Sequence, residues 1–308
     1  MAIKHIPVQS KHPNRIRASK SDRIFYTVNG VLLVLIFLIT AYPMYLVVIS
    51  SVSDPTMVHQ GKVLLIPRGF TLLGYERTLS HRDLLMSYWN TIKYTVVGVA
   101  VNLTFTLPAA YALSVKKLYG RRPLMFLVTF SMYFSCGMIP NYLLIKSLGL
   151  LNSFWVMILP GAVSAYNLIV ARSFIESNIP DELYEAAQLD GCGRIRFFAK
   201  IVLPLSSTLI AILALFYGVG HWNSYMSALL YLQDRDLMPL QVILREILAT
   251  TRFSPEDFVD PDIQAVLEQM AESMRYSMLL FTSLPVLAIY PFLQKYFVKG
   301  ITIGSVKG

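Results

Sequence analysis

Seven residues, Glu185-Ala-Ala-Gln-Leu-Asp-Gly191, sit inside the charged stretch DELYEAAQLDGCGRIRFFAKIVLP (181–204), which lies between two strongly apolar runs. Pro180 suits the first position of a helix, and Asp181, Glu182 and Glu185 set negative charge near the positive end of its dipole. Gly191 can take the left-handed conformation that ends the helix, and Gly193 adds a second flexible point. On this first helix Leu183, Ala186, Ala187 and Asp190 fall at i, i+3, i+4 and i+7, a small-residue face that another surface can approach closely. On a second helix Ile195, Phe198, Ala199 and Val202 repeat the spacing, so it is expected to lie against neighbouring helices before Pro204. The competing reading is a solvated linker resting on lipid headgroups.

Catalytic chemistry finds no footing. His5, His12, His59, His81 and His221 are scattered without HExxH spacing, and no GxxxxGK[ST] phosphate loop occurs. Cys136 and Cys192 form neither a CxxC pair nor a disulfide framework.

The elements that must position the loop follow from composition. The chain has 308 residues, 55% hydrophobic and only 15% charged, with a mean hydropathy of +0.53, the profile of an integral membrane protein. Apolar runs of about 18 residues or more mark membrane helices. Six are expected, over 24–50, 88–114, 122–142, 154–171, 201–221 and 277–298. The first follows a basic tail (1–23) but is too long for a signal-peptide core and has no small-residue cleavage site, so it reads as a retained helix.

Basic residues set the orientation. They are dense in the N-terminal tail (Lys4, Lys11, Arg15, Arg17, Lys20, Arg23), after the second run (Lys116, Lys117, Arg121, Arg122), around the charged stretch (Arg172, Arg194, Arg196, Lys200) and at the C-terminus (Lys295, Lys299, Lys307). The alternate connections hold about half as many. Both termini, the 299–308 tail and the 181–204 loop are therefore expected in the cytoplasm. The net charge of +9 is dispersed among these loops and implies no nucleic-acid partner.

Glu185, Ala186 and Ala187, then Gly191, then Ile201, Leu203 and Pro204, resemble the EAA---G---------I-LP signature of permease subunits of binding-protein-dependent ABC importers. The match is gapless at its seven defining positions. The stretches IPNYLLIKSLGLLNSFWVMILPGAVSAYNLIVARSFIESNIPDELYEAAQLDG (139–191) and LPVLAIYPFLQKYFVKGITIGSVKG (284–308) are similar to the carbohydrate branch, the maltose-type permeases and those for oligosaccharides and aldouronates. The resemblance runs over about 24–308. It implies an all-α integral membrane protein with six transmembrane helices over 24–298 and a cytoplasmic coupling loop between spans four and five. It implies that Glu185, Ala186, Ala187, Asp190 and Gly191 dock in a cleft of a separate ATP-binding subunit dimer, where ATP and Mg would be bound, none being held by this chain. A second permease subunit, an extracytoplasmic solute-binding protein and an oligosaccharide substrate complete the expected partners, in a bacterial cytoplasmic membrane.

Polar groups in lipid-spanning helices are costly unless they face a cavity or another helix. Asn102, Tyr133, Asn141, Tyr166, Asn167, Trp222 and Asn223 combine amides with aromatic faces, the chemistry that holds sugar hydroxyls and ring faces. Against each stands a structural reading, because single Asn residues join helices and Trp collects at membrane interfaces. Lys93, near the outer end of the second run, can snorkel to the headgroups. The external segment 222–276 is acidic overall and is expected to hold helices over 238–250 and 260–276, a surface suited to the solute-binding protein. The main alternative is an ion-coupled secondary transporter, against which stand the lack of an inverted repeat and of intramembrane acids.

Overall fold

A backbone inside hydrocarbon must satisfy its own hydrogen bonds, so apolar runs of this length fold as helices. The computed structural model describes residues 19–250 and 274–289, with Pro291 and Gln294, and among these residues there is no strand. The expected tails at 1–18 and 299–308 and most of the expected helix over 260–276 lie outside the described residues.

Two helices are continuous and long and apolar enough to cross a membrane: α1 (Lys20–Ser51) and α4 (Arg82–Ser114). Between them lie the short helices α2 (Pro55–His59) and α3 (Leu73–Ser80). α1 begins with a capping box, the Ser19 backbone donating to Asp22 Oδ2 at 2.9 Å, which satisfies an N–H that helix geometry leaves free. It is exposed along almost its whole length, with only Ile49, Ser50 and Ser51 buried at its end.

The third, fourth and fifth apolar runs are not the straight rods their lengths suggest. The 122–142 run folds as α5 (Arg121–Tyr133) and α6 (Met138–Ser147), bent by 116°. The break follows from FSCGM, where Gly137 takes φ +85° and its N–H finds the Ser135 hydroxyl at 3.2 Å. The 154–171 run opens with two short 3₁₀ turns, Phe154–Met157 and Leu159–Gly161, then turns 51° into α7 (Ala165–Asn178), which the Ser164 side chain caps. The fifth run bends by 79° between Arg194–Leu205 and the helix Ser207–Trp222, next to Pro204. Of the sixth run, a 274–289 apolar helix is described. Among the described residues the count is thus two continuous candidate spans, up to five if each bent pair is one span, and one shorter apolar helix.

In chain order the remaining helices are α8 (Asp181–Leu189), α9 (Arg194–Phe197) continuing through a π turn at Phe198–Val202 into α10 (Leu203–Leu205), α11 (Ser207–Trp222), α12 (Met226–Tyr231), α13 (Leu240–Thr250) and α14 (Met274–Ile289). α4 is the spine. It packs along α11 and α7, and near its first turns against α3 and α13. One core at its far end gathers Leu107, Ala110 and Leu113 with Ala171, Ile175, Leu209 and Leu213; another at its start joins Leu84 to Trp222, Leu240, Ile243 and Met278.

The connection after α11 is held down rather than loose. Asn90 donates to the carbonyls of Asp236 (2.6 Å) and Met238 (3.2 Å), Tyr94 to that of Leu237 (2.8 Å), and the Leu240 N–H reaches Thr91 Oγ1 at 2.8 Å. Arg235 pairs with Asp83 and Glu246. The amphipathic helix expected over 238–250 is α13.

Candidate functional site

The 181–204 stretch forms the expected pair of short helices with a sharp turn. Pro180 stands just outside α8 at the N-cap position (ψ 150°) instead of occupying its first position, and the helix starts at Asp181. Its end is a Schellman motif: the Cys192 N–H bonds to the Ala187 carbonyl at 2.9 Å and the Gly191 N–H to Gln188 at 3.0 Å, with Gly191 at φ +73°. Nothing lies within 4 Å of a Cβ built on Gly191, so the requirement there is conformational, not spatial.

The face of α8 divides differently from its sequence pattern. Ala187 is 8% exposed and belongs to the core shared by α4, α7 and α11, whereas Glu185, Ala186 and Asp190 are exposed and Leu189 is 92% exposed. The expected face of Leu183, Ala186, Ala187 and Asp190 is therefore not presented as a unit, because Ala187 is turned inward. Tyr184 follows it, meeting Phe197 edge to face at 5.2 Å while the Arg194 guanidinium lies 4.5 Å over its ring.

The second helix also buries a different side. Ile195 is 86% exposed and Ala199 is exposed, while Phe197 and Val202 are buried and Phe198 stacks on Tyr111 at 5.2 Å. The π turn supplies the reason: it winds one extra residue into the helix and shifts everything after it by about a quarter-turn, so a constant 3.6-residue period does not apply. Burying a Phe side chain is worth about 2–3 kcal/mol. Phe197 thus fastens the hairpin to the bundle.

A cleft of about 790 Å³ opens between this hairpin and the ends of α4 and α7, with Tyr111, Ser114, Lys116, Glu176, Glu185 and Arg194 among its lining residues. Lys116 bonds to Asp181 at 2.9 Å, and that hydrogen bond holds the ammonium pKa above its ordinary value. Glu185 has no ion-pair partner among the described residues.

The residues expected along a solute path are not gathered in one place, and none of them lines that cleft. Asn102 is wholly buried and fully used: its amide donates to the carbonyls of Gly161 (2.8 Å) and Ala162 (2.9 Å), and its oxygen meets His221 Nε2 at 2.7 Å. Since the amide nitrogen is committed to two acceptors, Nε2 of His221 must carry the proton. One turn along, Thr106 bonds to the Tyr217 hydroxyl at 2.8 Å, which also accepts from the Ser164 N–H at 3.2 Å. These two rungs satisfy backbone groups released where the fourth run bends. Asn102 is thus a helix-joining residue in this structure, and Gly98 leaves room for its partner His221, whose ring lies 2.4 Å from a Cβ built there.

Trp222, expected at an interface, is 7% exposed and packs edge to face on Tyr88 at 5.8 Å. Asn167 is buried at the first turn of α7, and Asn223 bonds to the Val219 carbonyl at 2.9 Å. Tyr133 (75% exposed), Asn141 and Tyr166 point away from the rest of this chain.

Sequence reasoning missed a charged group at the end of α4, formed by Arg121, Arg172 and Glu176. Arg172 and Glu176 stand at i, i+4, a legible pair; the participation of Arg121, on another helix, carried no local signal.

Residues 23–303 match the family described as the binding-protein-dependent transport system inner membrane component, and the chain belongs to that family. Among its relatives, the polygalacturonan/rhamnogalacturonan transport system permease protein YtcP of Bacillus subtilis (strain 168) is 40% identical over 294 residues, 93% of this chain and 99% of the relative. Protein LplC of the same organism is 40% identical over 296 residues, covering 94% and 97%. The arabinooligosaccharides transport system permease protein AraQ of Halalkalibacterium halodurans is 27% identical over 275 residues, covering 88% and 92%. Among solved structures, a chain in the crystal structure of a bacterial ABC transporter involved in the import of the acidic polysaccharide alginate superposes with a TM-score of 0.82 at 35% identity, over 91% of this chain and 99% of that one. The protein is a membrane-embedded permease component of an ABC importer, and the ion-coupled alternative is not favoured.

Proposed function

We propose that this chain is one of two permease subunits that together form the path for an oligosaccharide or polysaccharide, driven by a separate ATPase dimer that grips the 181–204 hairpin. In this reading the six apolar regions are six crossings, each bent pair being one broken span, and both termini and the hairpin are cytoplasmic. The observation that carries it is the build of the hairpin. Glu185, Ala186, Leu189, Asp190 and the left-handed Gly191 are presented outward, while Ala187, Tyr184 and Phe197 anchor the same helices in the bundle core. An exposed grip on a fastened base is what force transmission requires.

ATP and Mg would be held by the ATPase subunits, and an extracytoplasmic solute-binding protein would deliver the substrate to the opposite face, where Arg235, Asp83 and Glu246 tie the 223–250 connection to α4. The similarity to a polygalacturonan/rhamnogalacturonan permease and to an importer of the acidic polysaccharide alginate favours polysaccharide fragments, and polygalacturonan and alginate are both polymers of uronic acids. Uronate-containing oligosaccharides are therefore the first substrates to offer. Tyr133, Asn141 and Tyr166, exposed on this chain, are the pathway residues that remain free to meet either the second permease or the solute.

The test is a pull-down from detergent with this chain as bait, co-expressed with the genes beside it, comparing wild type with Glu185→Ala and Gly191→Pro. Recovery of an ATPase, a second permease and a binding protein with wild type, and selective loss of the ATPase with the variants, is the expected result. Wild type that purifies alone and moves solute without ATP overturns the proposal.

A further inference from the structure

The hairpin is tied to the bundle by charges as well as by its apolar base. α4 ends at Ser114, so the Leu113 carbonyl is among the last that lack an intrahelical partner. Two guanidinium groups from different helices converge on it: Arg121, first residue of α5, donates from Nε at 2.8 Å, and Arg172 of α7 from Nε at 3.3 Å. Both also hold Glu176, Arg172 through Nη2 at 2.7 Å and Arg121 through its own Nη2. Positive charge there complements the negative end of the α4 dipole. The side chains of Arg121, Arg172 and Glu176 are only 20%, 21% and 28% exposed.

Five residues beyond Glu176, Asp181 opens α8 and reaches Lys116, just past the end of α4. Only Ile179 and Pro180 separate α7 from α8, and a residue before proline is confined to extended backbone, as Ile179 is at φ −121°, ψ 93°. The joint is short and stiff. A docking helix leading from an unanchored α7 could swivel and absorb a push; here the end of α7, from which this joint leads, is fastened through Glu176 to the end of α4 and the start of α5, and Lys116–Asp181 adds only an exposed pair.

We propose that Arg121, Arg172 and Glu176 are positioning residues that make α4, α5 and α7 move together with the docking helix, with Glu176 at the centre. This rests on the docking reading above. The shielded cluster, not the exposed Lys116–Asp181 pair, carries the effect, because exposed pairs are weak and screened whereas removing a carboxylate shared by two shielded guanidiniums leaves both without their counter-charge. Two different elements then lose their common anchor while α8 keeps its exposed grip.

The importer, assembled in vesicles with its second permease, ATPase and binding protein, gives the readout: solute moved per ATP hydrolysed. Glu176→Gln, which keeps shape and removes charge, is expected to lower that ratio several-fold while retaining the ATPase in a pull-down. Arg121→Lys keeps the charge but puts a single nitrogen in place of the separate Nε and Nη2 donors that reach the Leu113 carbonyl and Glu176, and is expected to lower it as well. A purely structural role would reduce the amount of assembled importer and leave the ratio per complex unchanged. An unchanged ratio in Glu176→Gln, or in Arg121→Lys where the former does not assemble, overturns the inference. Failure of wild type to show any ATP-driven uptake instead removes the docking reading on which it stands.

Discussion

Gly191 and Gly98 are both glycines under constraint, and the constraints differ in kind. At Gly191 the backbone is left-handed in open space, so Gly191→Ala should cost about 1–2 kcal/mol of local strain and no clash. Gly191→Asn, which tolerates that conformation, should lose less. The retained fraction of ATPase in a pull-down ranks the three proteins. At Gly98 the conformation is ordinary and the space is taken by His221, so Gly98→Ala should force α4 and α11 apart and lower the thermal midpoint in detergent. Asn102→Leu should destabilise through another route, stranding two carbonyls and the His221 N–H at about 1–3 kcal/mol for each buried group left unpaired. Had Asn102 been a sugar ligand, the same substitution would have changed affinity for solute with the fold intact; thermal unfolding beside uptake distinguishes the two.

Adjacent alanines on α8 carry opposite assignments. Ala187 is buried against Phe197 and the α4–α7–α11 core, so Ala187→Leu should overpack the hairpin's base and cost about 1–3 kcal/mol. Ala186 is exposed. Ala186→Leu should leave stability within about 0.5 kcal/mol of wild type, as surface changes do, and abolish ATPase retention by blocking close approach. Equal effects of the two substitutions on stability would contradict this division. The seven-position signature and the helix-ending glycine were legible from local chemistry, since caps and turns are set by a few neighbours. Which side of each short helix is buried was not: on the second the π turn at Phe198–Val202 breaks the period on which such a reading depends, and on α8 the inward turn of Ala187 is set by the core it shares with α4, α7 and α11.

The two cysteines offer a test of the chain's disposition in the membrane. Cys192 lies in the hairpin and is partly exposed; Cys136 lies exposed at the break between α5 and α6. With Cys136→Ser, a membrane-impermeant maleimide should leave Cys192 unlabelled in intact cells and label it after permeabilisation, if the hairpin faces the cytoplasm. Labelling in intact cells would invert the orientation. The nearly unburied α1 and the outward Tyr133, Asn141 and Tyr166 belong to the same picture, a chain whose outer helices are not covered by its own residues.

Membrane residence and the approximate positions of the apolar runs followed from composition and run length, because hydrocarbon admits apolar helix and little else, while the family followed from the resemblance carried by Glu185, Ala186, Ala187, Gly191, Ile201, Leu203 and Pro204. Tertiary contacts settled the rest. Whether Asn102 and Trp222 serve a solute or the packing of helices depends on partners 59–60 and 134 residues away in sequence, the Gly161 and Ala162 carbonyls and the Tyr88 ring. Likewise Arg121 reads as one more cytoplasmic charge until α4, α5 and α7 bring it to Leu113 and Glu176. Local patterns record what each segment can do; long-range proximity selects which of those possibilities is used.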